Sequence, residues 1–186
     1  SGVAIADIYD VLDTQEGQDM VFAKLDTIKD DVVFWSSGAK PLDLVNSGEV
    51  SMSLAYNGRI GGAVLADGAD YVTVWDGQVL EEEWLVLVTG APNRAAAIHF
   101  LIHASATEQQ AGQAHWINYA PMRPSALPIM EAGEPWFNPG LATEANIMEH
   151  MPTTDEHMKG GILADPDWWA DNGQAVNDRY AAWMAK

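Results

Sequence analysis

Residues 48–93 alternate short apolar runs with polar and aromatic turns, and this pattern constrains the fold more than any other part of the chain. Val50, Met52 and Leu54 alternate with serines, as in a strand that buries one face. We predict strands over residues 50–55, 71–75 and 84–88, with a helix over residues 59–66. Strands that alternate with helices are typical of α/β proteins, so the segment predicts an open α/β sheet.

Aromatic and charged residues cluster where these predicted strands end. They are Tyr56, Asn57, Arg59, Trp75, Asp76, Glu81, Glu82, Glu83 and Trp84. In open α/β sheets, ligands bind in the crevice outside the carboxyl ends of the strands. We therefore interpret this segment as ligand-binding rather than purely structural.

Helical patterns dominate the rest of the chain. Val21, Leu25 and Ile28 share one face of a helix predicted over residues 16–29. We predict further helices over residues 41–47, 94–104 and 107–114 and from Pro166 onward, and a strand over residues 31–35. Asn93 and Thr107 are expected to cap the helices that follow them. Residues 121–152 are rich in Pro, Gly and Asn and predict loops and short helices.

The charge and the absence of cysteine exclude several classes of function. A formal net charge of −18 in 186 residues argues against binding to nucleic acid, which needs a basic surface. We interpret most of this charge as a solvated surface, although long-range attraction of cationic ligands is an alternative. With no cysteine there is no disulfide framework and no thiol chemistry. No apolar run approaches the ~18 residues of a membrane span.

Four motifs occur in an order that is known from one family. They are GEVSMSLAYNG, LVLVTGAPNRAAAIHFLIHAS, EQQAGQAHWINYAPMRP and DWWADNGQAVNDRYAAW. Together they resemble the extracellular solute-binding proteins of ABC importers, in particular the spermidine/putrescine-binding family. The chain departs from that family at Tyr56, where tryptophan is usual, and at Glu81–Glu83, where one acid is expected.

The resemblance implies an α/β, periplasmic-binding-protein-like (type II) fold that holds the second lobe plus a remnant of the first lobe. Residues 1–82 would form the first part of lobe two, residues 83–117 a partial lobe one after a hinge crossing, and residues 118–186 the return to lobe two. Family members are usually about twice as long, so we expect a fragment. A signal peptide would lie in the missing N-terminal region, and the protein would be periplasmic.

The resemblance also implies which residues would contact a ligand between the lobes. Glu83, with Glu81 as second choice, corresponds to the acid that binds an amine. Tyr56, Tyr119 and Trp169 also correspond to ligand-contacting positions of the family. Asn57, Trp84 and Trp35 are further candidates because they lie near predicted turns or strand ends. Aromatic rings would line the methylenes of an alkyl amine and make cation–π contacts with its charge.

The orientation of Arg59 distinguishes between two classes of ligand. The resemblance favours a polyamine such as putrescine or spermidine, which has no use for an unpaired arginine. If Arg59 faces the cleft, an ω-amino acid such as γ-aminobutyrate would satisfy Arg59 and Glu83 together. A third interpretation makes Arg59 a surface residue that pairs with Asp67 or Asp76.

Two further possibilities belong to other classes. An acid–base hydrolase that uses Glu81–Glu83 would need two carboxylates of different pKa in one pocket, and no nucleophile motif accompanies them. Alternatively, the fragment binds nothing because half of its cleft is missing. His99 and His103 lack the acid of a zinc motif, so we predict no metal and no cofactor. Expected partners are an ABC permease and, through exposed Ile98, Leu101 and Ile102, a second copy of the chain.

Overall fold

The computed structural model describes residues 2–132 and 146–186, and its regular structure is mostly helical. The helices are α1 (Ile8–Leu12), α2 (Gln15–Asp26), α3 (Lys40–Asn46), α4 (Asn57–Leu65), α5 (Arg94–Ala104), α6 (Thr107–Gln113), α7 (Leu127–Glu131) and α8 (Pro166–Met184). The strands are β1 (Val79–Leu80) and β2 (Ile162–Leu163). Short 3-10 turns at Ile5–Asp7, Lys29–Asp31, Pro124–Ala126, Ile147–His150 and His157–Gly160 connect them.

The predicted helices are confirmed because their signals are local. Thr14 caps α2 by accepting a hydrogen bond from the Gly17 N–H at 3.0 Å. Asp165 caps α8 in the same way, and Pro166 follows as its first residue. The predicted loops and short helices between residues 121 and 152 are confirmed in the described part of that range, and residues 133–145 lie outside the described residues.

Three details of the predicted helices were wrong. Asn93 makes no side-chain capping bond to α5. Thr107 lies inside α6 rather than before it, and its hydroxyl instead shares a 2.8 Å hydrogen bond with Ser125. Helix α4 begins at Asn57, two residues earlier than predicted, because the extended backbone of Tyr56 already serves as its N-cap.

Four strand predictions were wrong. In the described structure no sheet includes residues 31–35, 50–55, 71–75 or 84–88. Within the described ranges only β1 and β2 pair, in parallel, with Val79 opposite Ile162 and Leu80 opposite Leu163. A strand is stabilised by side chains on neighbouring strands. The predicted strands have no such neighbours in the part of the chain that the structure describes, and Met52 and Val72 are 85% and 87% exposed.

A small apolar core holds α6 and α7 against the 3-10 turn at Ile147–His150. Its buried members are Ala111, Ala114, Ala126, Met130, Ile147 and Met151. A second contact fastens α8 to α2, because the buried Trp183 donates from Nε1 to Asp26 Oδ1 at 2.6 Å. Lys29 Nζ donates to the Trp183 carbonyl at 2.8 Å, and the ring of Phe34 packs edge-on against the indole.

Helix α5 has no buried residue. Ile102 is 67% exposed and Ile98 is 36% exposed, which confirms the expected apolar surface at those two positions. In the described residues no helix is both long and apolar enough to cross a membrane.

Candidate ligand-binding site

The start of helix α4 brings two aromatic rings and an arginine together. The Trp35 ring packs edge-on against Tyr56, with 6.2 Å between the ring centroids, and Tyr56 stays 53% exposed. A Cβ atom at Gly38 would lie 3.1 Å from Tyr56 Cε2 and 3.7 Å from Arg59 Nε, so the turn at residues 36–38 lies beside both side chains. One face of this group is therefore open to solvent and the other is packed.

A buried asparagine joins this helix to the segment that follows α6. Asn57 Nδ2 donates to the backbone carbonyl of Asn118 at 2.7 Å. Asn118, only 2% exposed, donates from Nδ2 to the His150 carbonyl at 2.8 Å. Its Oδ1 has no hydrogen-bond partner among the described residues. Three parts of the chain thus meet at one residue.

The ring of Tyr119 lies directly against the first turn of α4. A Cβ atom at Gly58 would lie 2.7 Å from Tyr119 Cε1 and 2.7 Å from Ile117 Cδ1. A side chain at position 58 would force these two side chains to shift, and glycine avoids this. The contact places Tyr119 next to the residue that precedes Arg59.

Two opposite charges act on the Tyr119 hydroxyl. Burial raises the pKa of Tyr119 above its ordinary value, and the negative charge of Glu83 raises that pKa further. The positive charge of Arg59 lowers the pKa, and Tyr56 raises it slightly. Glu83 and Arg59 are therefore both within electrostatic range of the same hydroxyl.

Arg59 is not neutralised by the acids considered in the sequence. In the described part of the chain the single ion pair joins Arg179 to Asp19, so Arg59 pairs with neither Asp67 nor Asp76. The pairing in the surface interpretation of Arg59 was wrong, whereas its surface position is confirmed. Among the described residues its exposed guanidinium has no ion-pair partner, and it lies beside Tyr56.

The structure gathers some predicted site residues and leaves others apart. Those in contact or in electrostatic range of one another are Trp35, Tyr56, Asn57, Arg59, Glu83 and Tyr119. Trp169 instead packs edge-on against Trp168 on α8, at 5.1 Å between centroids. Trp84 is 70% exposed, and Glu81 is exposed without a contact to this group in the described residues.

Sequence reasoning missed Asn118 and the close approach at Gly58. Asn118 lies between Ile117 and Tyr119, and its burial depends on contacts with residues 57 and 150 that are distant in sequence. The available signal was the two glycines at Gly58 and Gly61, spaced to share one helix face.

For metals, the described residues contain no group of three or more His, Asp or Glu that could hold an ion.

Comparison with known proteins identifies the family. Residues 2–143 match the family described as bacterial extracellular solute-binding protein. This chain belongs to that family. A γ-aminobutyric acid-binding protein of Pseudomonas aeruginosa is 33% identical to this solute-binding protein over 185 residues. The match covers 100% of the chain and 49% of that relative.

Solved structures agree with this assignment. The Atu4243 GABA receptor superimposes with a TM-score of 0.72 at 27% identity, over 100% of this chain and 51% of the receptor. The binding protein MotA from A. tumefaciens B6, in complex with glucopine, gives a TM-score of 0.77 at 28% identity, over 98% of this chain and 53% of MotA. The predicted periplasmic-binding-protein-like fold is thereby confirmed.

This solute-binding protein spans about half the length of the relatives that it matches. The predicted lobe boundaries at residues 82 and 117 stay predictions. The broader resemblance to extracellular solute-binding proteins is confirmed. The narrower resemblance to spermidine/putrescine-binding proteins finds no counterpart in these relatives, which are named for γ-aminobutyrate and glucopine.

Proposed function

We propose that this protein is the substrate-binding component of an ABC importer and that it binds an ω-amino acid of the γ-aminobutyrate type. The carrying observation is the placement of Tyr56, Arg59 and Tyr119 together at the start of α4, with the opposite charges of Arg59 and Glu83 both acting on the Tyr119 hydroxyl. The names of the P. aeruginosa relative and of the Atu4243 receptor support the same ligand class. This choice reverses the order suggested by the sequence, where a polyamine came first.

Each end of such a ligand finds a complementary group. The planar guanidinium of Arg59 presents parallel N–H donors that match a carboxylate. Glu83 accepts hydrogen bonds from the ammonium group, and a charge-assisted bond of this kind contributes about 1.5–3 kcal/mol. The rings of Tyr56 and Tyr119 cover the methylenes between them. A diamine would instead place one ammonium near Arg59, where like charges repel.

The proposal includes delivery to a membrane permease in the periplasm, where extracellular solute-binding proteins of Gram-negative bacteria work. It includes no chemical reaction. Burial in an apolar environment is one way to keep the carboxyl of a general acid protonated. Glu81, Glu82 and Glu83 are all exposed, so the hydrolase hypothesis gains no support from their surroundings.

Isothermal titration calorimetry with γ-aminobutyrate and putrescine tests the proposal. The chain is titrated alone and after fusion to the half of the P. aeruginosa relative that it does not match. Arg59→Gln is compared with Arg94→Gln, which removes an exposed arginine of α5. We expect Arg59→Gln to weaken γ-aminobutyrate binding about tenfold or more, since 1.4 kcal/mol corresponds to tenfold, and Arg94→Gln to leave it unchanged.

Putrescine binding with no response to γ-aminobutyrate would restore the polyamine hypothesis. No binding of either compound, to the chain or to the fusion, would overturn the proposed function.

A further inference from the structure

We propose that Asn118 is a positioning residue: seated against a glycine face of α4, it sets the place of Tyr119 relative to Arg59 and thereby the length of ω-amino acid that the site accepts. The inference rests on the proposed function and deepens it. The positioning residue, Asn118, does not itself touch the ligand.

The first step is the glycine face. Gly58 and Gly61 lie three positions apart, so they share one side of α4. A Cβ atom at Gly61 would lie 2.7 Å from Asn118 Nδ2 and closer still to Oδ1, while one at Gly58 would meet Ile117 and Tyr119. Gly62, the next residue, faces open space. Residues 117–119 therefore lie closer to the α4 backbone than any side chain would allow, and only on this face.

The second step concerns the free-energy cost of burying the Asn118 side chain. An unsatisfied buried acceptor costs about 1–3 kcal/mol, and Asn118 Oδ1 is such an atom in the described structure. An apolar residue of similar size would avoid that cost. What the Asn118 side chain supplies in return is one long-range link, the hydrogen bond from Nδ2 to the His150 carbonyl. The bond from Asn57 goes to the backbone carbonyl of Asn118. A purely space-filling role does not account for this choice.

The third step connects the contact to the ligand. Arg59 follows Gly58 on α4, and Tyr119 follows Asn118 on the facing segment. A shift of residues 117–119 along α4 would therefore move the Tyr119 hydroxyl relative to the guanidinium. Binding groups must be held to within about 0.5 Å by the residues that support them. In the proposed site the Tyr119 ring covers the methylenes of a ligand whose carboxylate is bound at Arg59. A fixed separation between Arg59 and Tyr119 therefore favours a ligand whose methylene chain is long enough to reach that ring.

The test compares Gly61→Ala with Gly62→Ala in the full chain. Both variants replace a glycine of the same helix by alanine, so both gain about 0.5–1 kcal/mol of helix preference. Only the alanine at position 61 collides with Asn118. Two readouts are taken: NMR titration of ring-labelled tyrosine, assigned with Tyr119→Phe, and relative affinities for β-alanine, γ-aminobutyrate and 5-aminovalerate.

We expect Gly62→Ala to match the parent in both readouts. Gly61→Ala should shift the Tyr119 titration toward that of an ordinary tyrosine and change the ratio of the γ-aminobutyrate and 5-aminovalerate affinities by about tenfold, the factor that 1.4 kcal/mol gives. The double variant Gly61→Ala, Asn118→Ala should behave like Asn118→Ala alone, since the collision is gone. If the two residues collide, the effects of the two substitutions on the readouts are not additive.

Asn118→Leu covers the case in which Gly61→Ala fails to fold. It keeps the volume and removes both the unsatisfied acceptor and the bond to the His150 carbonyl, so its two effects on folding stability oppose each other. The affinity ratio and the Tyr119 titration should change. The positioning role would be overturned if the variants that fold showed the same Tyr119 titration and the same affinity ratios as the parent. Absence of binding in both the parent chain and the fusion would overturn the proposed function and the length selection with it, while the Tyr119 titration would still decide the positioning role.

Discussion

Asn57 and Asn118, which are 61 positions apart in the chain, are joined by a 2.7 Å hydrogen bond from the side-chain amide of the first to the carbonyl of the second. The bond fastens the first residue of α4 to the segment that carries Tyr119. It connects the predicted first part of lobe two with its predicted return segment, as a shared lobe requires. The site therefore depends on tertiary contacts that no local pattern contains.

Replacement of Asn57 by alanine should destabilise the protein. The variant leaves the Asn118 carbonyl without its donor, and a typical intramolecular hydrogen bond contributes about 0.5–1.5 kcal/mol. Urea denaturation measures the change. Asn172→Ala is the matched control, because Asn172 Nδ2 also donates to a carbonyl but only to Trp168 in its own helix. Equal losses in the two variants would contradict a special role for the long-range bond.

Glu83→Gln should weaken the binding of an amine ligand about tenfold or more, because the loss of a charge-assisted bond costs about 1.5–3 kcal/mol. It should also lower the pKa of Tyr119, since the Glu83 charge raises that pKa. Glu82→Gln carries the same substitution one residue earlier and should change neither quantity. Calorimetry and tyrosine titration check the two effects, and indistinguishable behaviour of the two variants would remove Glu83 from the site.

The helices could be predicted from the sequence and the sheet could not, for a physical reason. Thr14 and Asp165 cap helices through residues two or three positions away, so the signal is contained in a few letters. Met52 and Val72 carry the right pattern for strands, but a strand also needs a neighbour, which the pattern does not supply. In the described part of the chain only Val79–Leu80 and Ile162–Leu163 pair, across more than eighty residues.

The candidate site likewise contains residues that could be predicted from the sequence and residues that depend on tertiary contacts. Family resemblance pointed to Tyr56, Glu83 and Tyr119, and the structure brings these residues into one group with Arg59. Trp169 was predicted by the same motif matching, yet its ring contact is with Trp168. Asn118 escaped prediction because its two partners are fixed by the tertiary fold.

Trp183→Ala should be among the most destabilising single changes. Trp183 is 5% exposed, and its indole N–H donates to Asp26. Truncation of a buried tryptophan costs about 3–5 kcal/mol. Trp169→Ala, at 42% exposure on the same helix, is the control and should cost clearly less. Thermal and urea unfolding measure both. A loss of ligand affinity in Trp169→Ala without loss of stability would return Trp169 to the ligand site.

Acidification should destabilise the protein through His150. Burial lowers the pKa of His150, the nearby His157 lowers it further, and Glu149 opposes them. Between that lowered pKa and the ordinary value of about 6.5, the unfolded chain binds more protons than the folded chain. Stability therefore rises with pH in this window and is lost as the pH falls below about 6.5.

Urea denaturation at a series of pH values measures this slope. His150→Gln should flatten it, whereas His99→Gln, at an exposed position of α5, should leave it unchanged. A slope that survives His150→Gln would assign the pH dependence to other groups.

Self-association should increase with salt. Val72, Val86 and Ile102 expose 87%, 74% and 67% of their surface, and exposed apolar patches favour contacts between molecules. The net charge of −18 opposes contact between two copies. Salt shortens the Debye length from about 30 Å at about 0.01 M to about 3 Å at about 1 M, so the repulsion fades while the apolar attraction remains. Sedimentation velocity at both ionic strengths should show a larger mean mass at the higher one.

The variant Val86→Ser should reduce this association, because it removes an exposed apolar side chain from the segment at residues 84–88 without changing the charge. Val21→Ser is the matched control: Val21 lies on α2 and is 38% exposed. Hydrogen exchange adds a local measurement, since backbone amides that pair across two copies become protected at residues 71–75 and 84–88. A monomer at every ionic strength, with fast exchange in both segments, would show that charge repulsion outweighs the apolar surface and that a second copy is not a partner of this chain.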